Sequence, residues 1–370
     1  MPIHDVGYRS WPWKRSSPYW RWLSIAEYGF QIALKSTWVK RLMFFAWLPI
    51  LYWGFGIFFY ERFIENNTTS VIDFDRGRSA TDSRRPIRRP NVKKALESLS
   101  GQAQKELPGD VASLAFAETV RNGFGWMPMV DKLADRIAKS DRKQWRHTFW
   151  NWLLMTFFRY PQSTTVIFIL GFIAPSLIAR DVRSRAFLLY FSRPIGRLDY
   201  MFGKLMIPAA FLMLVTTAPS LVLYIIGLMF SPDFSVIWST WDVPIRIALA
   251  SISLILPTAS LALMLSSLSQ ESRFAAFAWF AVWALGYGAY LAIVIAHASI
   301  SNTNPNAIMQ SDTAVTWAPI SLYNCLGQVQ TWIFGFDSLS NSWPCLLTLI
   351  AITVFSLLVF YRNISKSVHS

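Results

Sequence analysis

The sequence predicts an all-α integral membrane protein with six transmembrane helices. Three observations carry that prediction. Of 370 residues, 53% are hydrophobic and only 15% charged, against about 25% charged in an ordinary soluble domain. Six apolar runs approach the ~20 residues that a helix needs to cross about 30 Å of hydrocarbon. The chain also holds 18 Trp, a residue that favours the membrane–water interface.

Residues 1–41 form an N-terminal arm. Within Tyr19–Arg41, Leu23, Ala26, Phe30, Ala33, Leu34 and Trp38 share one face at helical spacing, while Glu27, Gln31 and Lys35 follow one another on a second face. With Arg21, Lys40 and Arg41 at its ends, this reads as an amphipathic collar helix on the inner membrane surface. Span one, Leu42–Tyr60, begins too far in for a signal peptide and lacks a small-x-small exit, so it is expected to stay as an anchor.

Residues 61–163 are expected outside, as a helical extracytoplasmic insertion between spans one and two. Residues 66–92, with Arg84–Pro90 reading RRPIRRP, suit an extended linker. From 92 to 146 apolar positions recur at helical spacing: Ala95, Leu96 and Leu99; Val111, Leu114 and Ala115; Val130, Leu133 and Ile137. Pro108-Gly109-Asp110 and Gly123–Pro128 divide them into three short helices. Phe149–Phe158 (FWNWLLMTFF) is too short to cross, and Arg159-Tyr160-Pro161 should break it from span two. It reads as a separate interfacial helix.

Residues 164–361 hold the other spans: Thr164–Ala179, Leu205–Phe230, Ile247–Leu268, Phe274–Ala296 and Trp343–Tyr361. Ser251, Ser253, Thr258, Ala259 and Ser260 in span four, with Gly286 and Gly288 in span five, permit close helix packing. Pro257 is expected to kink span four. A tail, 362–370, completes the chain.

Charge sets the orientation. Residues 180–204 carry six Lys/Arg, the 269–273 turn carries Arg273, and the tail carries two, whereas 231–243 and 298–342 carry none. Positive charge in short loops marks the cytoplasmic side, so both termini are expected in the cytoplasm and the protein in the cell membrane. The 17 Lys/Arg in 61–146 do not oppose this, because loops beyond about 60 residues translocate largely regardless of charge.

Several function classes recede. The net charge of +14 lies beside apolar spans, where a bilayer accounts for it without nucleic acid. No Asp, Glu, Lys, Arg or His falls within the limits of the six spans, which argues against a proton relay or a self-energised pump. There is no metal-ligand spacing among the four His, no HExxH and no GxSxG. Gly196 to Gly203 encloses six residues and Leu205 follows Lys204, so the P-loop pattern fails and no nucleotide is expected in this chain. Cys325 and Cys345 read either as buried small hydrophobes or as a disulfide.

The stretch Ala179–Leu205, ARDVRSRAFLLYFSRPIGRLDYMFGKL, combines this positive charge with bulky apolar residues. Ala186–Phe191 needs cover, the arginines can pair with acids on a partner, and Ser192 can cap the helix that Pro194 opens. The result is a short transverse helix of about two turns below the bilayer.

This stretch resembles the inner loop of ABC-2 type permeases, the membrane subunits of type V ABC transporters. The likeness lies in Ala179-Arg180-Asp181, Arg183-Ser184, Phe187, Tyr190-Phe191-Ser192-Arg193-Pro194, Arg197, Asp199-Tyr200 and Gly203-Lys204-Leu205. It departs at Arg185-Ala186, where a Gly-Ala pair is common. The resemblance implies that Arg183–Phe191 is a cytoplasmic coupling helix docking on a separate ABC ATPase, which binds ATP and Mg. Arg180, Asp181, Arg183, Phe187, Leu188, Tyr190, Phe191, Arg193 and Pro194 are the residues expected to carry that contact. It also implies a second permease copy, the same or different. The alternative is a non-transporting scaffold that recruits an extracytoplasmic protein through 61–146.

Overall fold

A computed structural model describes residues 21–64, 111–140, 144–183, 196–231, 236–302 and 312–369. Among them every regular element is helical, and six helices are long and apolar enough to cross a membrane: Thr37–Arg62, Trp145–Ala179, Arg197–Phe230, Val243–Ser267, Ser272–Ser301 and Leu339–Ser365. Each contains one of the six expected spans, except that the fourth, Ile247–Leu268, runs one residue past its helix.

Spans two and four are enclosed, whereas one, five and six turn most of their surface outward. The outward faces carry large apolar side chains such as Phe44, Leu51, Phe277, Leu285, Phe355 and Leu358. A lipid solvent rewards that arrangement, because it leaves the backbone polar groups satisfied inside each helix. Hydroxyls within the spans bond to the preceding turn: Thr216 donates to the Leu212 carbonyl at 2.8 Å and Thr258 to the Leu254 carbonyl at 2.6 Å.

Span four is the central post. Ser251, Thr258, Ala259 and Ser260 are buried, and Pro257 leaves Val243–Ser267 one unbroken helix. Of the two glycines in span five, Gly286 lies against the Ile320 carbonyl, and a Cβ there would stand 3.2 Å from its oxygen. Gly288 faces open space.

The N-terminal amphipathic helix is Arg21–Leu34, and Lys35-Ser36 separates it from span one. It packs along Gly203, Ile207 and Phe211 of span three, with Phe30 and Phe211 rings 4.4 Å apart. The end of span six is at the same end of the bundle, where the Arg197 guanidinium donates to Ser365 Oγ at 2.8 Å. The described chain therefore starts and finishes at one end, the end that also carries residues 183 and 196.

One element departs from expectation. Phe149–Phe158 is not a separate interfacial helix: Trp145–Phe157 runs through a π-helical turn, Phe158–Gln162, into Ser163–Arg183. The wide turn accommodates Pro161, which has no N–H to donate. Phe149, Trp152, Phe157 and Phe158 are fully buried in protein. The helix is too long for the hydrocarbon, about 52 Å for Trp145–Ala179 at 1.5 Å per residue, so its first turns extend past the bilayer and the number of crossings is unchanged.

The insertion between spans one and two is helical where described. Its described helices, Val111–Gly123 and Val130–Ala138, match two of the three expected, and the helix around Ala95–Leu99 lies outside the described residues, as does the 66–92 linker. The two pack into the bundle end. Phe116 stacks on Trp145 at 4.3 Å, Tyr60 stacks on Phe149 at 4.1 Å, and Leu133 and Ile137 are fully buried.

Before span six, Asp312–Trp317 and the 3₁₀ turn Ala318–Ile320 lead to helix Leu322–Ile333. Ser321 caps it, its hydroxyl accepting from the Asn324 N–H. Leu322, Cys325, Leu326, Val329 and Thr331 are buried, so this helix dips into the bundle. Gly335, at φ 82°, makes the left-handed turn that returns the chain to span six.

Candidate functional site

Residues 184–195 lie outside the described residues, and with them Phe187, Leu188, Tyr190, Phe191, Arg193 and Pro194 of the expected docking set. Their two anchors are well defined. Span two ends at Arg183, which is exposed, and span three begins at Arg197. The helix cap is at Gly196, not at Ser192: the Asp199 carboxylate accepts the Gly196 N–H at 3.1 Å and sits in the positive first turn.

Asp181 turns into the bundle. Lys204 Nζ is 2.7 Å from its Oδ2, and the Tyr200 hydroxyl donates to the same oxygen at 2.8 Å. The side chains of Lys204 and Asp181 are 9% and 13% exposed. Lys204 also donates to the Leu177 carbonyl at 3.0 Å and lies over the Tyr200 ring. Lys204, at the start of span three, is thus held by an acid from the end of span two. A pair removed from water at this depth gains support from further hydrogen bonds, here the Tyr200 hydroxyl on Asp181 and the Leu177 carbonyl on Lys204.

A second brace lies one turn deeper. The Ser266 hydroxyl donates to the Pro175 carbonyl at 3.1 Å and accepts from the Ile178 and Ala179 N–H groups at 3.3 and 3.2 Å. Asn363 Nδ2 donates to Ser267 Oγ at 3.2 Å. Spans two, three, four and six are therefore joined by side-chain hydrogen bonds around the two ends of one short connection.

Sequence reasoning missed Arg159. It falls inside the long second helix, and a Cβ on Gly327 would stand 2.5 Å from its Nη1. It donates to Thr331 Oγ1 at 3.5 Å and has no carboxylate partner among the described residues. Gln162 and Gln330 nearby are fully buried. The signal was present in FRYPQ, but the assumed break at Pro161 put it outside a span. Arg246 and Lys204 likewise enter the helices because these extend past the apolar runs.

At the opposite end, Glu61 is buried and meets Arg146 Nε at 3.1 Å and Trp150 Nε1 at 3.3 Å. His147 Nε2 lies 2.9 Å from Asp242 Oδ1, and its Nδ1 lies 3.2 Å from Asn151 Nδ2. With Nε2–H donating to Asp242, Nδ1 accepts from the amide. Arg246 donates to Asp242 at 2.7 Å and to the Ile333 carbonyl at 2.6 Å. Burial works to raise the Asp242 carboxyl, but hydrogen bonds from Arg246 and His147 outweigh it and hold it below its ordinary value.

Cys325 and Cys345 are free and buried, with Cys325 Sγ donating to the Cys345 carbonyl at 3.2 Å. The structure thus takes the first of the two readings of this pair. No group of His, Cys, Asp and Glu among the described residues is arranged to hold a metal.

Residues 57–364 match the family model described as ABC-2 family transporter protein. Neither the curated proteins nor the solved structures gave a match to the chain. The matched region takes in spans two to five, nearly all of span six and both charged clusters, and it leaves out the Arg21–Leu34 helix and most of span one.

Proposed function

The chain belongs to the ABC-2 transporter family, and from that premise we propose that it is the membrane-spanning permease subunit of an ABC transporter whose ATPase is a separate polypeptide. ATP and Mg bind to that partner. Its docking site is the 183–196 connection, facing the cytoplasm together with both termini. The permease works as a pair of copies.

The observation that carries this reading is the Asp181–Lys204–Tyr200 link. It joins the end of span two to the start of span three across the connection's own base. A push on the connection is then delivered to both helices as a unit, and through Ser266 and Ser365 to spans four and six. The roles of the expected residues divide accordingly. Phe187, Leu188, Tyr190, Phe191, Arg193 and Pro194, with Arg180 and Arg183, make the ATPase contact. Asp181 holds the frame.

In operation, closure of the ATPase pair on ATP draws the docked connections together, and hydrolysis releases them. Spans two and three tilt with them and change the side to which the path between copies opens. The outward faces of spans one, five and six, apolar between their charged ends, suit a lipid or amphiphile as cargo. The test is co-purification from native membranes. Wild type brings down an ABC ATPase, and Tyr190→Ala with Arg193→Ala loses it. Retention of the ATPase by that double variant, or its absence from wild type, refutes the proposal.

A further inference from the structure

A cavity of about 450 Å³ opens among Val130–Ala138 of the insertion, the first turns of the long second helix, and the ends of spans four and Leu322–Ile333. It lies at the end of the bundle away from the 183–196 connection. Asn151 on its wall is 30 residues from Asp181, about 45 Å along a helix, and the hydrocarbon is only about 30 Å thick. Water reaches it without crossing lipid.

Among the described residues its lining is polar and one-signed: Arg136 and Arg246 both line it and no carboxylate does. Arg246 shares its charge with Asp242, behind the wall. Arg136 is exposed and has no carboxylate within ion-pair distance among the described residues. The cavity therefore carries an excess positive charge that nothing described neutralises. Ser140, Thr148 and Gln144 supply neutral donors and acceptors, and Phe334 and Phe336 an apolar surface.

Asn151 gives a second, independent pointer. It is 2% exposed, its Nδ2 is occupied by His147, and its Oδ1 has no partner among the described residues. A buried amide oxygen is ordinarily bonded. The missing complement is a donor, and on an anion that donor is a hydroxyl.

We propose that this cavity binds a hydroxylated anion, a phosphorylated or carboxylated polyol, with its charge at Arg136 and Arg246, a hydroxyl on Asn151 and its C–H face on the two phenylalanines. The volume falls in the range of ordinary small-molecule sites, roughly 300–1,000 Å³. The same chemistry occurs in free sugar phosphates and in glycerol-based lipid headgroups. The site stands independently of ATPase docking, so its failure and that of the permease reading are separable.

Calorimetry on the full chain in detergent tests it, with glycerol phosphate, glucose phosphate, inorganic phosphate and short-chain phosphatidylglycerol as probes. Saturable binding of a polyol phosphate, or of the short-chain lipid, at least tenfold tighter than inorganic phosphate is expected. Binding of the soluble probes identifies a free ligand, and binding of the lipid alone identifies a headgroup. Arg136→Ala, at an exposed position, should weaken binding about tenfold, the scale of one charge-assisted hydrogen bond, and Arg136→Lys should restore most of it. No saturable binding, equal affinity for inorganic phosphate, or an Arg136→Ala protein that binds like wild type would overturn the proposal.

Discussion

A methyl group on Gly203 would stand 2.9 Å from the carbonyl oxygen of Trp22 and 2.8 Å from Ile25 Cβ. The N-terminal helix and span three thus meet backbone to backbone, and no flexible side chain lies between them to yield. Gly203→Ala should destabilise the protein by about 1–3 kcal/mol, the usual cost of overpacking a fitted contact. Gly288 has nothing within 4 Å, so Gly288→Ala should be neutral or stabilise by about 0.5–1 kcal/mol through helix propensity. Thermal unfolding in detergent compares the two, and equal effects would contradict the packing described.

The Asp181–Lys204 pair predicts a marked non-additivity. Lys204→Met leaves a carboxylate stranded at 13% exposure and should cost about 3–5 kcal/mol. Adding Asp181→Asn removes the stranded charge, so the double variant should be more stable than Lys204→Met alone. A double-mutant cycle by denaturant unfolding reads the coupling, expected at about 0.5–3 kcal/mol. Strict additivity would mean that the two groups do not share an environment.

Acid should loosen the end of the bundle that holds Asp242. Asp242 titrates below 3.8, its ordinary value, so its ionised form is favoured by folding. That contribution is complete above the unfolded-state value and disappears as pH falls through the lower folded-state value. Asp242→Asn should therefore lower the melting temperature by a constant amount at neutral pH. The gap to wild type should close only below about pH 4, the region of the reference carboxyl value. A gap that narrowed between pH 8 and 6 would point to another group.

Cys325 and Cys345 should remain thiols. Mass spectrometry after alkylation in denaturant should find both modified without prior reduction, and labelling of the folded protein should be slow, because both are fully buried. A cross-linked peptide containing both residues would reverse the assignment.

The six spans were legible because a bilayer demands about 20 uninterrupted apolar residues, and few soluble elements imitate that length. The short helices of the insertion were legible from Val130, Leu133 and Ile137 at helical spacing. Helix ends were not, since polar residues such as Lys204 and Arg246 enter helices when partners are at hand, and some of those partners, Asp181 for Lys204 and the Ile333 carbonyl for Arg246, lie far away in sequence. Pro161 misled for a local reason. Proline ordinarily ends a helix, but a wide turn flanked by fully buried aromatic residues absorbs it. The inward turn of Asp181 was likewise invisible, because its spacing from Lys204 has no periodic meaning across the intervening connection.

The wide turn at Phe158–Gln162 divides the second helix into arms of 13 and 21 residues. At 1.5 Å per residue these are roughly 20 and 32 Å long, and the turn is where such a rod can pivot. The shorter arm runs beside the cavity at Asn151 and the longer one ends at Arg183. A rocking movement about this fulcrum is multiplied by about one and a half between the short arm's tip and the long arm's. Anything that seats itself near Asn151 thereby holds the short handle of a seesaw whose far seat is the 183–196 connection.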